Sequence, residues 1–195
     1  MNAELFLALV VFAFVTSVTP GPNNMMLLAS GANFGLRRSV PHMLGITIGH
    51  AAMTVLVGLG LAGLFAAFPG AEAALKTACL GYLLWLAWRI AHATAPEAAG
   101  GGRPMSFIAA ALFQWVNPKS WAMALTAVTA YAPGEGARAM FAVALVFAAV
   151  NLPSVSLWAA IGLGLRRWLG DPVRLRRFNR AMAVLLVGST LPVVL

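Results

Sequence analysis

Two short polar segments interrupt a chain that is otherwise strongly apolar: Thr19-Pro20-Gly21-Pro22-Asn23-Asn24 and Gln114-Trp115-Val116-Asn117-Pro118-Lys119. Pro20 and Pro22 remove two backbone donors and Gly21 weakens the helix between them, so a helix arriving at Thr19 must unwind or break. Pro22 then suits the first position of a restarted helix, with Asn23 and Asn24 supplying local hydrogen bonds. Asn117 and Pro118 repeat the pattern as cap and first helical residue. The chemistry on offer is that of a transporter site near the middle of the membrane. The amides and positive dipole end of a restarted helix suit an anion, and Lys119 adds a full positive charge beside it. Carbonyls near Pro20 and Gly21, helped by the side chains of Asn24, Asn117 or Gln114, suit a cation. Taken alone, either segment could equally be an ordinary kink or an interfacial turn.

Lys119 is the one charged side chain expected deep within an apolar run, where a charge normally faces the interior and marks a site or pathway. All five acidic residues, Glu4, Glu72, Glu97, Glu135 and Asp171, fall in loops or at span ends. Intramembrane proton carriers are usually Asp, Glu or His; with no carboxylate in the spans, the candidates for such a role are Lys119 and, as the alternative, His50. The simpler reading of His50 is a buried histidine hydrogen-bonded to a neighbouring helix, and His42 and His92, beside basic loops, read as interfacial. Asn151 and Pro153, with Ser154 and Ser156 nearby, form a third interruption, read first as a kink and second as a gate. The lone cysteine, Cys79, forms neither an internal disulfide nor a Cys-x-x-Cys motif and reads as packing. No metal or cofactor is expected, because the spans offer no carboxylate and no His or Cys cluster.

The elements that must position these residues are membrane helices. The 195 residues are 61% hydrophobic and 9% charged, against about 25% charged in a soluble domain, and the mean hydropathy is +0.87. Apolar windows separated by turn signals predict six spans, at residues 5–31, 41–64, 71–92, 105–132, 137–163 and 178–195. The first twenty residues lack a basic signal-peptide start and read as a retained span. The stretch 98–102, between Pro96 and Pro104, reads as a flexible linker between a first repeat, about 1–95, and a second, about 104–195. Three spans per half is an odd number, which places the two halves in opposite orientations with broken helices in spans one and four. The whole is a single all-α integral membrane domain. Gly45 and Gly49 form a Gly-x-x-x-Gly spacing, read as a close helix contact. Small-residue stripes and short helices are also compatible with a homodimer.

The net charge of +8 would suggest nucleic acid on a water-soluble basic face, but here the charge sits in loops between apolar runs, so no nucleic-acid partner is expected. Arg37, Arg38, Arg89 and Arg103, then Arg166, Arg167, Arg174, Arg176, Arg177 and Arg180, fall in alternate connections. The opposite side has only Lys76 and Arg138. Ten against two places the basic connections in the cytoplasm and both termini outside it. Trp85 and Trp88 near Arg89, and Trp168 beside Arg167, fit the cytoplasmic aromatic belt.

The residues Pro20-Gly21-Pro22-Asn23, Asn33-Phe34-Gly35-x-Arg37-Arg38, Gly45-x-x-x-Gly49, Gly81-Tyr82-Leu83-Leu84-Trp85-Leu86-Ala87-Trp88 and Phe113-Gln114-x-x-Asn117-Pro118-Lys119 resemble the LysE/RhtB family of amino-acid exporters, over nearly the whole chain. The resemblance is greatest to the branch exporting cysteine, O-acetylserine and other small neutral amino acids. It implies proton-coupled efflux across a bacterial inner membrane. The rival classes are a passive channel or an ion exporter using the same breaks. An enzyme is not expected, because His-Glu-x-x-His, Gly-x-Ser-x-Gly and a cysteine pair are all missing.

Overall fold

The fold is described from a computed structural model covering residues 3–61, 69–92, 103–132 and 136–188. The linker 98–102, Glu97, Glu135 and the end of the sixth expected span, 189–195, lie outside the described residues, as do the side chains of Glu72, Lys76, Cys79 and Tyr82. Among the described residues the secondary structure is entirely helical. The helices are α1 (Ala3–Val18), α2 (Pro22–Phe34), α3 (Leu36–Leu56), α4 (Pro69–Ala91), α5 (Phe107–Val116), α6 (Pro118–Tyr131), α7 (Ala137–Leu165) and α8 (Pro172–Gly188).

The two proline segments break helices where expected. The pair α1 and α2 is bent by 55° at residues 19–21, and α5 gives way to α6 at Asn117, whose backbone is extended. By length and composition, Leu36–Gly60 and Ala137–Leu165 are each long and apolar enough to cross a membrane, and the bent pair Ala3–Val18 and Pro22–Phe34 makes a third span if counted as one. The 29 residues of α7 measure about 44 Å at 1.5 Å per residue, the full thickness of a bilayer with its headgroups.

Three boundaries differ from expectation. The segment 36–39, expected as a connection, is the first turn of α3, because the corner after α2 is made by Gly35 alone. Its φ of 80° suits a glycine and lets the chain reverse in one residue. The last helix starts at Pro172 rather than near residue 178, so Arg174, Arg176, Arg177 and Arg180 sit on a helix. Asp171 caps it, accepting from the Val173 and Arg174 amides at 2.7 and 2.9 Å. The third is only apparent: Pro153 lies inside α7, and Ser154 and Ser156 donate to the Val150 and Leu152 carbonyls, the local bonding that the kink reading expected.

The surface is apolar and the interior holds the polar side chains. Phe6, Leu7, Ile108, Leu145 and Val184 are exposed, while Ser17, Asn24, Gln114, Asn117 and Asn151 are buried. This inversion is what a lipid solvent selects. At one end of the bundle Arg89 lies over Trp85 and Arg174 over Trp168, at 5.0 and 5.6 Å from the ring centres, as an interfacial aromatic belt requires.

The halves interlock. α3 packs on α5 and α1 on α7, while α3 also meets α7 and α4 meets α8. Glycines permit these contacts: a Cβ on Gly45 would strike the Phe107 carbonyl, and one on Gly49 would lie 2.5 Å from the Ala111 Cα. The expected close contact of the second span is thus made with α5. A tighter one joins α2 and α7, where Gly31 abuts the Ala159 carbonyl and Gly162 the Leu28 carbonyl.

Candidate functional site

The first break leaves a row of carbonyls that α1 cannot satisfy internally, and each finds a donor from elsewhere. The Asn24 amide donates to the Ser17 and Thr19 carbonyls at 2.9 and 2.7 Å. The Trp158 indole, from α7, donates to the Val18 carbonyl at 3.1 Å. The Lys119 ammonium, from the second break, donates to the Thr19 carbonyl at 2.8 Å, the Thr19 hydroxyl at 2.9 Å and the Pro20 carbonyl at 3.4 Å. Lys119 thus lies on the carbonyls near Pro20 that were expected to receive a cation. Gly21 makes that reach possible, since a Cβ there would lie 2.8 Å from the Lys119 Cδ.

The two restarted helices differ at their N-termini. In α6 the Asn117 carboxamide caps the Lys119 amide at 3.1 Å, as the sequence suggested. In α2 the N-cap position is Gly21, which offers no side-chain cap. The first intrahelical bond of α2 runs from the Met25 amide to the Gly21 carbonyl. Its leading amides, on Asn23 and Asn24, are therefore positioned as an anion-receiving end.

Both breaks face one small cavity of about 20 Å³. Gly21, Asn23 and Asn24 line it from the first break; Asn117, Lys119 and Ser120 line it from the second. His50 and Asn151 close it. A space of this size holds about one water molecule and no amino acid. His50 was expected to hydrogen-bond a neighbouring helix. It is buried, neither ring nitrogen has a partner among the described residues, and its ring stands edge-on to Phe147 at 5.2 Å.

Pro20, Pro22, Pro118 and Gln114 do not line the cavity; the prolines shape the breaks, and Gln114 joins them. It is fully buried, exchanges hydrogen bonds with the Asn23 carboxamide at 2.9 and 3.2 Å, and accepts from Ser120 at 2.8 Å. Asn151, read first as part of a kink, is a cross-helix tie that accepts from Thr47 and donates to Ser17 at 3.1 and 3.3 Å. Among the described residues no group of three or more His, Cys, Asp or Glu side chains could hold a metal.

The LysE type translocator family matches residues 14–194. This chain belongs to it. The resemblance read from the proline motifs is therefore correct. Cysteine/O-acetylserine efflux proteins of Escherichia coli (strain K12) and Shigella sonnei (strain Ss046) are each 31% identical over 131 residues, which are 67% of this chain and 67% of theirs. No solved structure matches this chain. A LysE-type translocator is a transporter and not an enzyme.

In this LysE-type translocator, sequence reasoning missed Thr19 as the acceptor for Lys119, and Ser17, Thr47 and Ser120 as partners of the amides. His42, expected near the interface, lies beside Arg89 and Arg103 around one cavity but is buried within the bundle. The available signal was polarity itself: a hydroxyl or imidazole within an apolar span is a candidate for the bundle interior.

Proposed function

We propose that this translocator exports small neutral amino acids or their derivatives from the bacterial cytoplasm, driven by the proton gradient, through a site between the two helix breaks. The observation that carries the reading is the Lys119 ammonium on the carbonyls of Thr19, 100 residues away in sequence, beside the uncapped start of α2. A substrate ammonium would displace Lys119 from this cradle while the substrate carboxylate meets the amides of Asn23 and Asn24. Gln114, bonded to Asn23, holds the two breaks in register, while Asn24 and Asn117 each satisfy backbone groups within one break. Lys119, once displaced, is the first candidate to carry the coupled proton, and His50, unpartnered on the same cavity, is the second. The names of the relatives support a cysteine-sized substrate.

The architecture we propose is six spans in two inverted three-helix repeats in the inner membrane, both termini outside the cytoplasm. The pairing supports it. A two-fold that exchanges the halves turns the α3–α5 contact into α7–α1 and returns α3–α7 and α4–α8 to themselves.

The experiment is efflux from preloaded cells or inverted vesicles with labelled cysteine, O-acetylserine, threonine, homoserine, leucine and lysine. Gradient-dependent efflux of one or two of these is expected, lost in Lys119→Ala and Pro22→Ala. Lys119→Arg should abolish coupling, because arginine does not release its proton. Unchanged pH dependence in Lys119→Arg would remove Lys119 as the carrier and leave His50. No efflux from inserted, folded protein would overturn the exporter reading.

A further inference from the structure

A second cavity, of about 320 Å³, lies between α2, α3, α4 and the residues leading into α5. It is large enough for a small amino acid, unlike the first cavity. α2 connects the two: Asn23 and Asn24 face the first cavity and Asn33 and Phe34 the second, ~15 Å apart at 1.5 Å per residue. The second cavity is at the basic end of the bundle.

Its lining is chemically incomplete. Arg89 and Arg103 both line it, and among the described residues no lining side chain is acidic. His42 lines it with both ring nitrogens unpartnered, although the residue is 2% exposed. The Asn33 carboxamide donates to the Ala29 carbonyl and to Asn179, yet its Oδ1, buried at 4% residue exposure, accepts from nothing. Buried polar atoms without partners are uncommon and call for a ligand or an ordered water. Two guanidiniums, an imidazole and an orphan carbonyl oxygen around one cavity match a molecule carrying both an anion and a cation.

We propose that this cavity is a separate capture site for a small zwitterionic amino acid, its carboxylate on Arg103, Arg89 and His42 and its ammonium on the Asn33 Oδ1. The role as a waiting site on the export route rests on the exporter reading; the binding itself does not. Between the two cavities stand Met26, packed on the buried Phe113, and the Asn23–Gln114 amide pair, so substrate advances along α2 when that partition opens.

The test is thiol protection. Ala109, which lines the cavity, is replaced in Ala109→Cys on a Cys79→Ser background, purified in a detergent with an uncharged headgroup. Maleimide labelling is timed with L-serine, L-cysteine or O-acetyl-L-serine, each against its decarboxylated amine. At least a threefold slowing by one of the amino acids and none by its amine is expected. The slowing should persist in Lys119→Ala and be lost in Arg103→Gln. In cells, Arg103→Gln should raise the half-saturating concentration for efflux about tenfold with the maximal rate retained, which also shows that the variant folds. Loss of protection in Lys119→Ala would overturn the separate site. So would equal protection by the amines, protection by added phosphatidylglycerol alone, or none at all. Protection without efflux would instead remove the exporter reading and leave the site.

Discussion

Gly21 is extended, with φ −176°, a conformation open to any residue, so its small size serves the neighbour rather than the backbone. A methyl group there meets the flexible end of Lys119, which can swing aside at little energetic cost. Gly21→Ala is therefore expected to keep the melting temperature in detergent within about 2 °C of wild type while lowering efflux at least tenfold. Equal loss of both would mean that the residue is structural. Asn117 shows what was legible at this scale and why: its cap on Lys119 is two residues away, so local sequence specifies it. The Lys119–Thr19 contact spans 100 positions and depends on how two helices meet, which spacing alone does not encode. His50 was misread for a related reason: a hydrogen-bond partner on a neighbouring helix depends on how the helices meet, and its ring faces Phe147 instead.

At the scale of elements, the breaks were legible because proline and glycine act locally, but the starts of α3 and α8 were not. Pro41 looked like a beginning, yet Gly35 turns the chain and the helix runs through Pro41. The arginine-rich stretch after Gly170 looked like a loop, yet Leu175, Asn179, Met182, Ala183 and Leu186 recur on one buried face and carry it as an amphipathic helix. Asp171 starts that helix, and the Arg174 and Val173 amides, with the nearby arginine charges, hold its carboxyl below the usual range. A depressed carboxyl stabilises the fold above the unfolded-state value, ~4, and that contribution disappears as pH falls through the lower folded value. Hydrogen-exchange protection of the Val173 and Arg174 amides should accordingly hold near neutrality and fall only in acid. Asp171→Ala should show low protection at every pH, and Asp171→Asn protection without the acid step. The α2–α7 crossing makes a different prediction. Gly162→Val places a side chain against the Leu28 carbonyl and should cost at least ~1–3 kcal/mol, read as a lower melting temperature. Gly81→Ala, with nothing within 4 Å of the added methyl, should be close to neutral.

For the whole molecule, composition and the alternation of charge carried the membrane reading, since they average over many residues. The structure draws Arg89, Arg103 and Arg166 toward the end of α2, as that alternation requires. On a Cys79→Ser background, Arg177→Cys should react with a membrane-impermeant maleimide only from the cytoplasmic face and Gly136→Cys only from outside. The reverse result would invert the topology. How the two halves interlock was not legible, because no single segment states which glycine of one half meets which carbonyl of the other. One consequence of Lys119 on the Thr19 carbonyl concerns the resting cell. A tethered amine acts at an effective concentration on the order of millimolar. On the function proposed above, free substrate would displace it only when the cytoplasmic pool approached that level. The transporter would then carry its own competitive inhibitor, conserving substrate when it is scarce and venting it when it accumulates.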